Sequence, residues 1–555
     1  MKKHFCTILS FVTMALLITV FVQEKWHPFE LKPLSGVQFQ TEFPELTLNN
    51  FSSGKLQRDM EQYSRENFGF REWAIRVYNQ FIYSAFNKTY CHFIVPGKSG
   101  YLYYTEAYKD YYGIMPLSVF GSYDRAREQA QRNVELMNKL RYVLHDYDIE
   151  FLSFTAPNKA EIYPEYLPYH EQPSSDAINT AAYYDSLMTV SGFPHVDLNA
   201  MYKTMKDTCS FLLFPKRDSH WRYSAVFGYD SLFCYMNSLN GFGIPDIYID
   251  RLIELDTAYP ENDEKTLNLL FPIANDSPKY RADITVDCGE GCHKPKVLFV
   301  GDSFIWDLET YMPWREILGD VEIWFYNKSA FQGFVKEKHP LTEVNRLRSI
   351  LNADFVVWYS SGYQWSQATY GFLEDALLQL CVSDSLFEAQ IPWVMDSLKA
   401  FCAADTLRNY AVNTLKHHPE LIPGLSGHTM PTIRNSVAIQ TAQQANAIAN
   451  DKNWQTALHI AASRQNRSFE EVLDEEVENL IQGRPLIRQE ITLDTAAVVQ
   501  FETERLINRW RNDNQMIRFL EDKAKEKGKS FEQVLEEDAN WVIQQKLING
   551  KLFEQ

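Results

Sequence analysis

Two short stretches of this sequence hold residue types that can move an acyl group. Gly301-Asp302-Ser303-Phe304 directly follows the apolar run from Lys296 to Val300 and precedes the helix-like stretch from Ile305 to Tyr311. That order puts Ser303 at the C-terminal end of a strand and beside a helix N-terminus, where backbone N–H groups converge and the dipole favours a developing oxyanion. Asp218-Ser219-His220-Trp221 stands before a second helix-like stretch, Ser224 to Leu239. A serine hydroxyl is a poor nucleophile until a histidine takes its proton, and the histidine needs a carboxylate to hold its tautomer and stabilise the imidazolium. Asp218 and His220, on one loop, supply both partners. Each stretch alone is an ordinary turn. Their joint occurrence, with the serine at a strand end, is what points to chemistry.

A sheet must carry these loops. Glu150–Thr155, Lys296–Val300, Val321–Tyr326 and Asp354–Tyr359 are short apolar runs within residues 131–370, set between helix-length segments. Such alternation predicts the α/β class, a parallel sheet with flanking helices. Residues 27–130 form an aromatic-rich N-terminal part. There Asn67-Phe68-Gly69-Phe70-Arg71-Glu72-Trp73 leads into Ile75, Val77, Tyr78, Phe81 and Ile82 at amphipathic helical spacing, and Gly97-Lys98-Ser99-Gly100-Tyr101-Leu102 reads as a glycine turn entering a strand.

Residues 371–555 read as an all-helical domain. Ser468-Phe469-Glu470-Glu471-Val472-Leu473 returns 62 residues later as Ser530-Phe531-Glu532-Gln533-Val534-Leu535, giving an internal repeat around 450–482 and 512–545. Each copy offers a serine to cap a helix and a capping-box partner three positions on. With no Ser/His/Asp set or metal-ligand spacing in it, this domain is expected to serve docking or spacing, the alternative being a roof over the active site.

Residues 1–26 are read as a signal anchor. After Lys2 and Lys3, the eighteen uncharged residues Phe5–Val22 are just long enough to span a hydrocarbon core. No convincing A-x-A-like cleavage site precedes Trp26, which favours an uncleaved transmembrane anchor over a cleaved signal or a buried helix. With the lysines inside, the remainder lies outside the cytoplasm. Of the 8 cysteines, Cys6 falls in the anchor, leaving an odd number, so at least one is free or pairs with another chain. Cys288 and Cys292 read as a structural disulfide, with free thiols or half a zinc site as alternatives. No second Cys/His pair at ligand spacing follows, so no metal and no cofactor is assigned. The formal charge of −18 repels a phosphate backbone, which excludes nucleic acid as a partner.

Together the Asp-x-His-Trp and Gly-Asp-Ser-Phe motifs resemble the SGNH (GDSL-type) hydrolase superfamily. Their order resembles the permuted arrangement of the AlgJ/AlgX-like alginate O-acetyltransferase family. The aromatic Asn67–Trp73 entry, the Gly97–Leu102 turn, and Ala156-Pro157-Asn158-Lys159 with Ile162-Tyr163-Pro164 after it agree with that family. The resemblance covers roughly residues 60 to 370 and leaves the C-terminal third unexplained. It implies Ser303 as nucleophile, His220 as general base and Asp218 as its orienting carboxylate, with Asp302 a turn former. For the oxyanion hole it implies the backbone N–H of Ser303 and a group at the end of the next strand, where the side-chain amide of Asn327 is the candidate. The strand running into Tyr359-Ser360-Ser361-Gly362-Tyr363 offers no second Asn or acid, so part of the hole is unassigned.

Trp221, Trp306, Tyr363 and Trp365 fall near the motifs or strand ends and are expected to stack on sugar faces, while Trp324, inside a strand, reads as core. The implied activity is O-acetyl transfer to a cell-surface or exported polysaccharide through an acetyl-serine. The implied partners are the polysaccharide acceptor, a membrane-bound acyltransferase supplying acetyl groups and, through the anchor, the periplasmic face of the inner membrane. A carbohydrate O-acetyl esterase and a non-catalytic glycan-binding scaffold of an export complex are the competing functions.

Overall fold

A computed structural model describes residues 2–36, 41–168, 176–258, 262–273, 277–289, 291–335, 337–367, 369–381, 392, 395, 436–481, 484, 486–487, 495–511 and 514–548. The chain divides into two units: Met1–Leu341 with Asp354–Leu373, and Thr342–Ala353 with Glu374–Gln555.

In the first unit, β1 (Ile94–Pro96) pairs with β2 (Leu102–Tyr104), and the main sheet draws on β3 (Glu150–Ala156) and β4 (His195–Asp197). A long antiparallel hairpin of β5 (Asp246–Ala258) and β6 (Pro278–Asp287) follows. The sheet is completed by β7 (Val297–Gly301), β8 (Val321–Phe325), β9 (Ser329–Gln332), β10 (His339–Pro340) and β11 (Phe355–Ser361). Its order is β10-β9-β8-β7-β11-β3-β4. The pairs from β8 to β4 are parallel, whereas β9 and β10 are antiparallel. The sheet is therefore mixed, a correction to the all-parallel expectation. The segment after β8 turns back as a hairpin before any helix forms, and the β5–β6 hairpin was likewise not read from the sequence.

Every residue of β3, β7 and β11 is buried. That is why these strands appear in the sequence as apolar runs rather than as alternation. Chain order reverses between β7 and β3, with β11 returning between them, so the carboxyl ends of β7 and β11 open onto the crevice where such sheets bind ligands. Gly301 ends β7 against β11: a Cβ there would fall 1.7 Å from the carbonyl oxygen of Tyr359. Only glycine permits that approach.

The expected membrane span falls within the helix Lys2–Trp26. Among the described residues, however, no helix is long and apolar enough to cross a membrane. Thr7, Ser10, Thr13 and Thr19 dilute the stretch, so the anchor is not supported. An apolar cleft of about 840 Å³ lies between this helix and the helix Arg71–Phe86, lined by residues such as Leu17, Val20, Phe70 and Trp73; none of its lining residues belongs to the catalytic motifs. Cys288 and Cys292 are joined as a disulfide, and no metal-binding cluster occurs among the described residues.

The second unit is helical where described beyond Glu374; the expectation for 382–391 and 396–435 lies outside the described residues. Helices Lys452–Gln465 and Phe469–Ile481 recur as Asn514–Lys527 and Phe531–Ile548, each starting 62 residues on. Both capping boxes form. Ser468 and Glu471 exchange backbone-to-side-chain bonds at 2.9 and 3.2 Å, as Ser530 and Gln533 do at 3.1 and 3.2 Å. Each exchange satisfies two backbone donors at once.

Candidate active site

Strand β7 ends in Gly301, and Asp302 then caps a 3-10 turn, Ser303–Ile305, that continues into the helix Trp306–Tyr311. Asp302 Oδ1 accepts the Phe304 N–H at 3.1 Å, and its Oδ2 accepts both the N–H and the hydroxyl of Ser361, at 2.7 and 2.6 Å. It thus ties the end of β7 to the end of β11 and sets the direction of the Ser303 side chain. Burial raises its pKa, against the opposing pull of the Ser361 bonds.

The structure brings Ser303 and His220 together across 83 positions of sequence, with Nε2 to Oγ at 2.9 Å. The other ring nitrogen, Nδ1, lies 3.4 Å from Asp218 Oδ1. That is long for a hydrogen bond, and such contacts tighten when a substrate closes on the site. Asp218 Oδ1 also accepts the backbone N–H of His220 at 3.0 Å. Burial alone would raise the Asp218 pKa, but His220 and the Arg222 charge outweigh it and hold the group at about 2. Burial pulls His220 down, yet Asp218 together with the charge of Asp307 leaves it above the ordinary histidine value despite the opposing Arg222.

Two residues around this pair carry no sequence signal that singled them out. Arg222 donates Nε and Nη2 to Asp218 Oδ2, at 3.0 and 2.9 Å. Its Nη1 and backbone N–H reach the two oxygens of Asp307, each at 3.1 Å. Arg222 does this with φ at 54°, in the left-handed region that a non-glycine residue adopts only at a cost. Asp307 lies one turn past Ser303, so the guanidinium links the Asp218–His220 loop to the helix that follows Ser303. Only their spatial meeting identifies them.

Lys159 was noted as part of the Ala156–Lys159 stretch without a role. Its buried ammonium lies 2.7 to 2.9 Å from the carbonyl oxygens of Leu102, Pro215, Lys216 and Asp218. A buried cation needs such a cage. The cage joins the end of the Gly97–Leu102 turn, the segment after β3 and the chain entering the Asp218–His220 loop.

Asn327 and its neighbour Tyr326 both have φ at 52° in the turn between β8 and β9. The Asn327 amide donates to the carbonyl of Tyr370 at 3.1 Å. It is the Tyr326 phenol that lies near enough to Ser303 for the two to act on each other electrostatically, and burial pushes that phenol up to about 12. A phenol that keeps its proton is a hydrogen-bond donor.

The aromatic expectations divide. Trp221 is 0% exposed, packed among Phe154, Tyr202 and Tyr229, and Trp365 is 1% exposed, stacked on Tyr184 with its Nε1 donating to Thr155 Oγ1. Rings with no open face cannot stack on a sugar, so both are core, a correction. Tyr363 is buried against Tyr104 and Phe304 at the site's wall. Trp306 is partly buried against Phe325, Phe331 and Phe334. Trp324 is core, its Nε1 donating to Glu322.

Residues 94–231, a segment that includes Asp218 and His220, match the family model of the SGNH hydrolase-like domain of the acetyltransferase AlgX. The chain resembles the AlgX family. Among solved structures, it is similar to the O-acetyltransferase domain of Pseudomonas putida AlgJ, with 18% identity and a TM-score of 0.33 over 50% of this chain and 93% of that one. Pseudomonas aeruginosa AlgX shows 13% identity and a TM-score of 0.33 over 52% of this chain and 68% of that one. Bacillus cereus PatB1 shows 12% identity and a TM-score of 0.30 over 44% and 92%. No curated protein matches the sequence.

Proposed function

We propose that this protein is an O-acetyltransferase acting on a cell-surface or exported polysaccharide through an acetyl ester of Ser303. The 2.9 Å contact between His220 Nε2 and Ser303 Oγ, with Asp218 behind the ring, carries the reading. The match to the AlgX acetyltransferase domain favours transfer over simple hydrolysis.

In this mechanism Ser303 Oγ attacks the carbonyl carbon of an acetyl donor as His220 Nε2 takes the hydroxyl proton. The tetrahedral oxyanion is met by the Ser303 backbone N–H and the Tyr326 hydroxyl, the latter in place of the Asn327 amide. The donor's leaving group departs with the proton from His220, and acetyl-Ser303 remains. His220 then takes the proton of a sugar hydroxyl, whose oxygen attacks the ester. The acetyl group passes to the sugar, and the proton returns to Ser303. Asp218, held charged and oriented by Arg222, stabilises the imidazolium in both halves.

Lys2, Lys3 and the uncharged stretch after them support export from the cytoplasm; outside it, a membrane-bound acyltransferase supplies the acetyl donor. The helical repeat serves docking to a partner or to the polymer.

The test is to acetylate the protein with an activated acetyl ester, locate the adduct by peptide mass, and add de-O-acetylated glycan. Acetylated sugar and loss of the Ser303 adduct are expected. Acetate alone would make the protein an esterase, and a well-folded protein that never acquires the adduct would make it a scaffold.

A further inference from the structure

The connection between β5 and β6 reaches the Asp218–His220 loop from outside the main sheet. In it the short helix Asn262–Thr266 sets two adjacent acids against the residues on either side of Asp218. Glu264 Oε2 lies 3.4 Å from Nε of the buried Arg217, and its Oε1 accepts the N–H of Ile273 at 2.7 Å. Asp263 lies near enough to Ser219, the residue between Asp218 and His220, to act on it electrostatically, and it acts likewise on Asp218, His220 and Lys159. Tyr104, on β2, feels the same carboxyl. Just before Arg217, Lys216 donates its N–H to Ser277 Oγ at 3.2 Å.

The far side of this connection is anchored. Leu267, 1% exposed, packs with Ile94 and Leu102 of β1 and β2. Its carbonyl accepts Asn79 Nδ2 at 2.9 Å, and Gln80 Oε1 accepts the N–H of Phe271 at 3.1 Å, both from the helix Arg71–Phe86. Asn268 exchanges two bonds with the backbone of Ser35, at 2.7 and 3.1 Å. The segment can therefore hold a side chain in a fixed place beside the base.

Asp263 Oδ2 is buried and has no hydrogen-bond partner among the described residues. Such an oxygen is costly. A brace for Ser219 needs no charge, since an amide would serve as well. What an amide cannot supply is a field at His220.

We propose that Asp263 is a positioning residue for His220, holding the loop of the base and setting a further negative charge toward the imidazole, which favours the imidazolium formed as Ser303 gives up its proton. The inference rests on the reading of His220 as the general base. Burial and the charge of Asp218 raise the Asp263 pKa, while His220 and Lys159 oppose them. Asp263 is therefore most firmly ionised when His220 is protonated, which is when its charge is useful. Asp218, Asp307 and Asp302 face the same imidazole with like effect, and Arg222 opposes them.

The test uses the full chain. The His220 ring is titrated by NMR in the parent protein and in Asp263→Asn, its signal assigned by its loss in His220→Gln, and turnover of a small acetyl ester is profiled against pH. Removing the charge should move both the His220 titration and the acid limb of kcat/KM to lower pH, with kcat down about 10-fold and KM unchanged. Asp263→Ser, uncharged and smaller, repeats the measurement if Asp263→Asn folds poorly. A His220 titration that stays in place or moves up would overturn the proposal and leave Asp263 a brace, and a raised KM at unchanged kcat would make it a substrate contact instead. Because the titration is read without turnover, failure of the acetyl-transfer assay defeats the proposed function separately.

Discussion

Arg222 grips the outer oxygen of Asp218 with two N–H groups, at 3.0 and 2.9 Å, leaving the inner oxygen to His220. The carboxylate can then rotate away from the imidazole only by breaking two charge-assisted hydrogen bonds to one oxygen. The same guanidinium sets a positive charge near His220, and Asp307 sets a negative charge against it.

The first prediction follows from that opposition. Because His220 sits above the ordinary histidine value, and a general base must be neutral to act, the acid limb of kcat/KM should lie above that value. Arg222→Gln removes a charge that lowers His220, so the limb should move to higher pH while the plateau falls about 10- to 100-fold. Asp307→Asn removes a charge that raises His220, so its limb should move lower. Asp263 and Asp302 also face His220 electrostatically and are unchanged in both variants. A pH–rate profile of ester turnover measures this. Plateau losses without opposite limb shifts would mean that the pair acts only as a brace.

Replacing Ser303, His220 or Asp218 singly by Ala should lower turnover of a small acetyl ester by about three or more orders of magnitude, and the losses should not add, since the three act as one unit. Steady-state kinetics of single and double variants, with circular dichroism to confirm folding, would decide it. Near-normal turnover in folded Ser303→Ala would remove the mechanism.

Tyr326 and Asn327 are adjacent yet should fail differently. Tyr326→Phe deletes the hydroxyl proposed to meet the oxyanion and should reduce kcat about 10²- to 10³-fold with KM little changed. Asn327→Ala keeps the nucleophile's surroundings but loses the bond to Tyr370 and forces a Cβ-bearing apolar residue into a left-handed turn, so it should chiefly lower Tm. Asn327→Gly, free to adopt positive φ, should recover part of that loss. If Asn327→Ala instead matched the Tyr326→Phe rate loss, Asn327 would be the oxyanion donor.

Trp365→Ala empties a fully buried site and strands the Thr155 hydroxyl, which should destabilise the protein by about 3–5 kcal/mol in denaturant titration. Trp306, whose ring is only partly covered, should cost less when replaced by Ala. Glycan affinity lost from Trp365→Ala at unchanged stability would restore it to the binding surface.

Residue chemistry and spacing singled out Ser303, His220 and Asp218, and the structure brings the three together. A strand buried on both faces must be apolar along its length, so β7 announced itself, and Ser303 follows where that run ends. The capping boxes at Ser468 and Ser530 were equally legible, because a helix N-terminus is satisfied by residues three positions apart. What sequence could not decide was everything set by distant neighbours. Asp307 reaches Arg222 across 85 positions, and the Lys159 cage gathers carbonyl oxygens from chain segments more than 50 positions away. A tryptophan reads alike whether its face is open or covered, and packing alone put Trp221 and Trp365 inside. The places of Tyr326 and Asn327 turned on two left-handed residues in one hairpin turn, which set one side chain near Ser303 and the other against Tyr370. Local patterns name the groups that can react; only long-range packing sets which of them meet, and in what field.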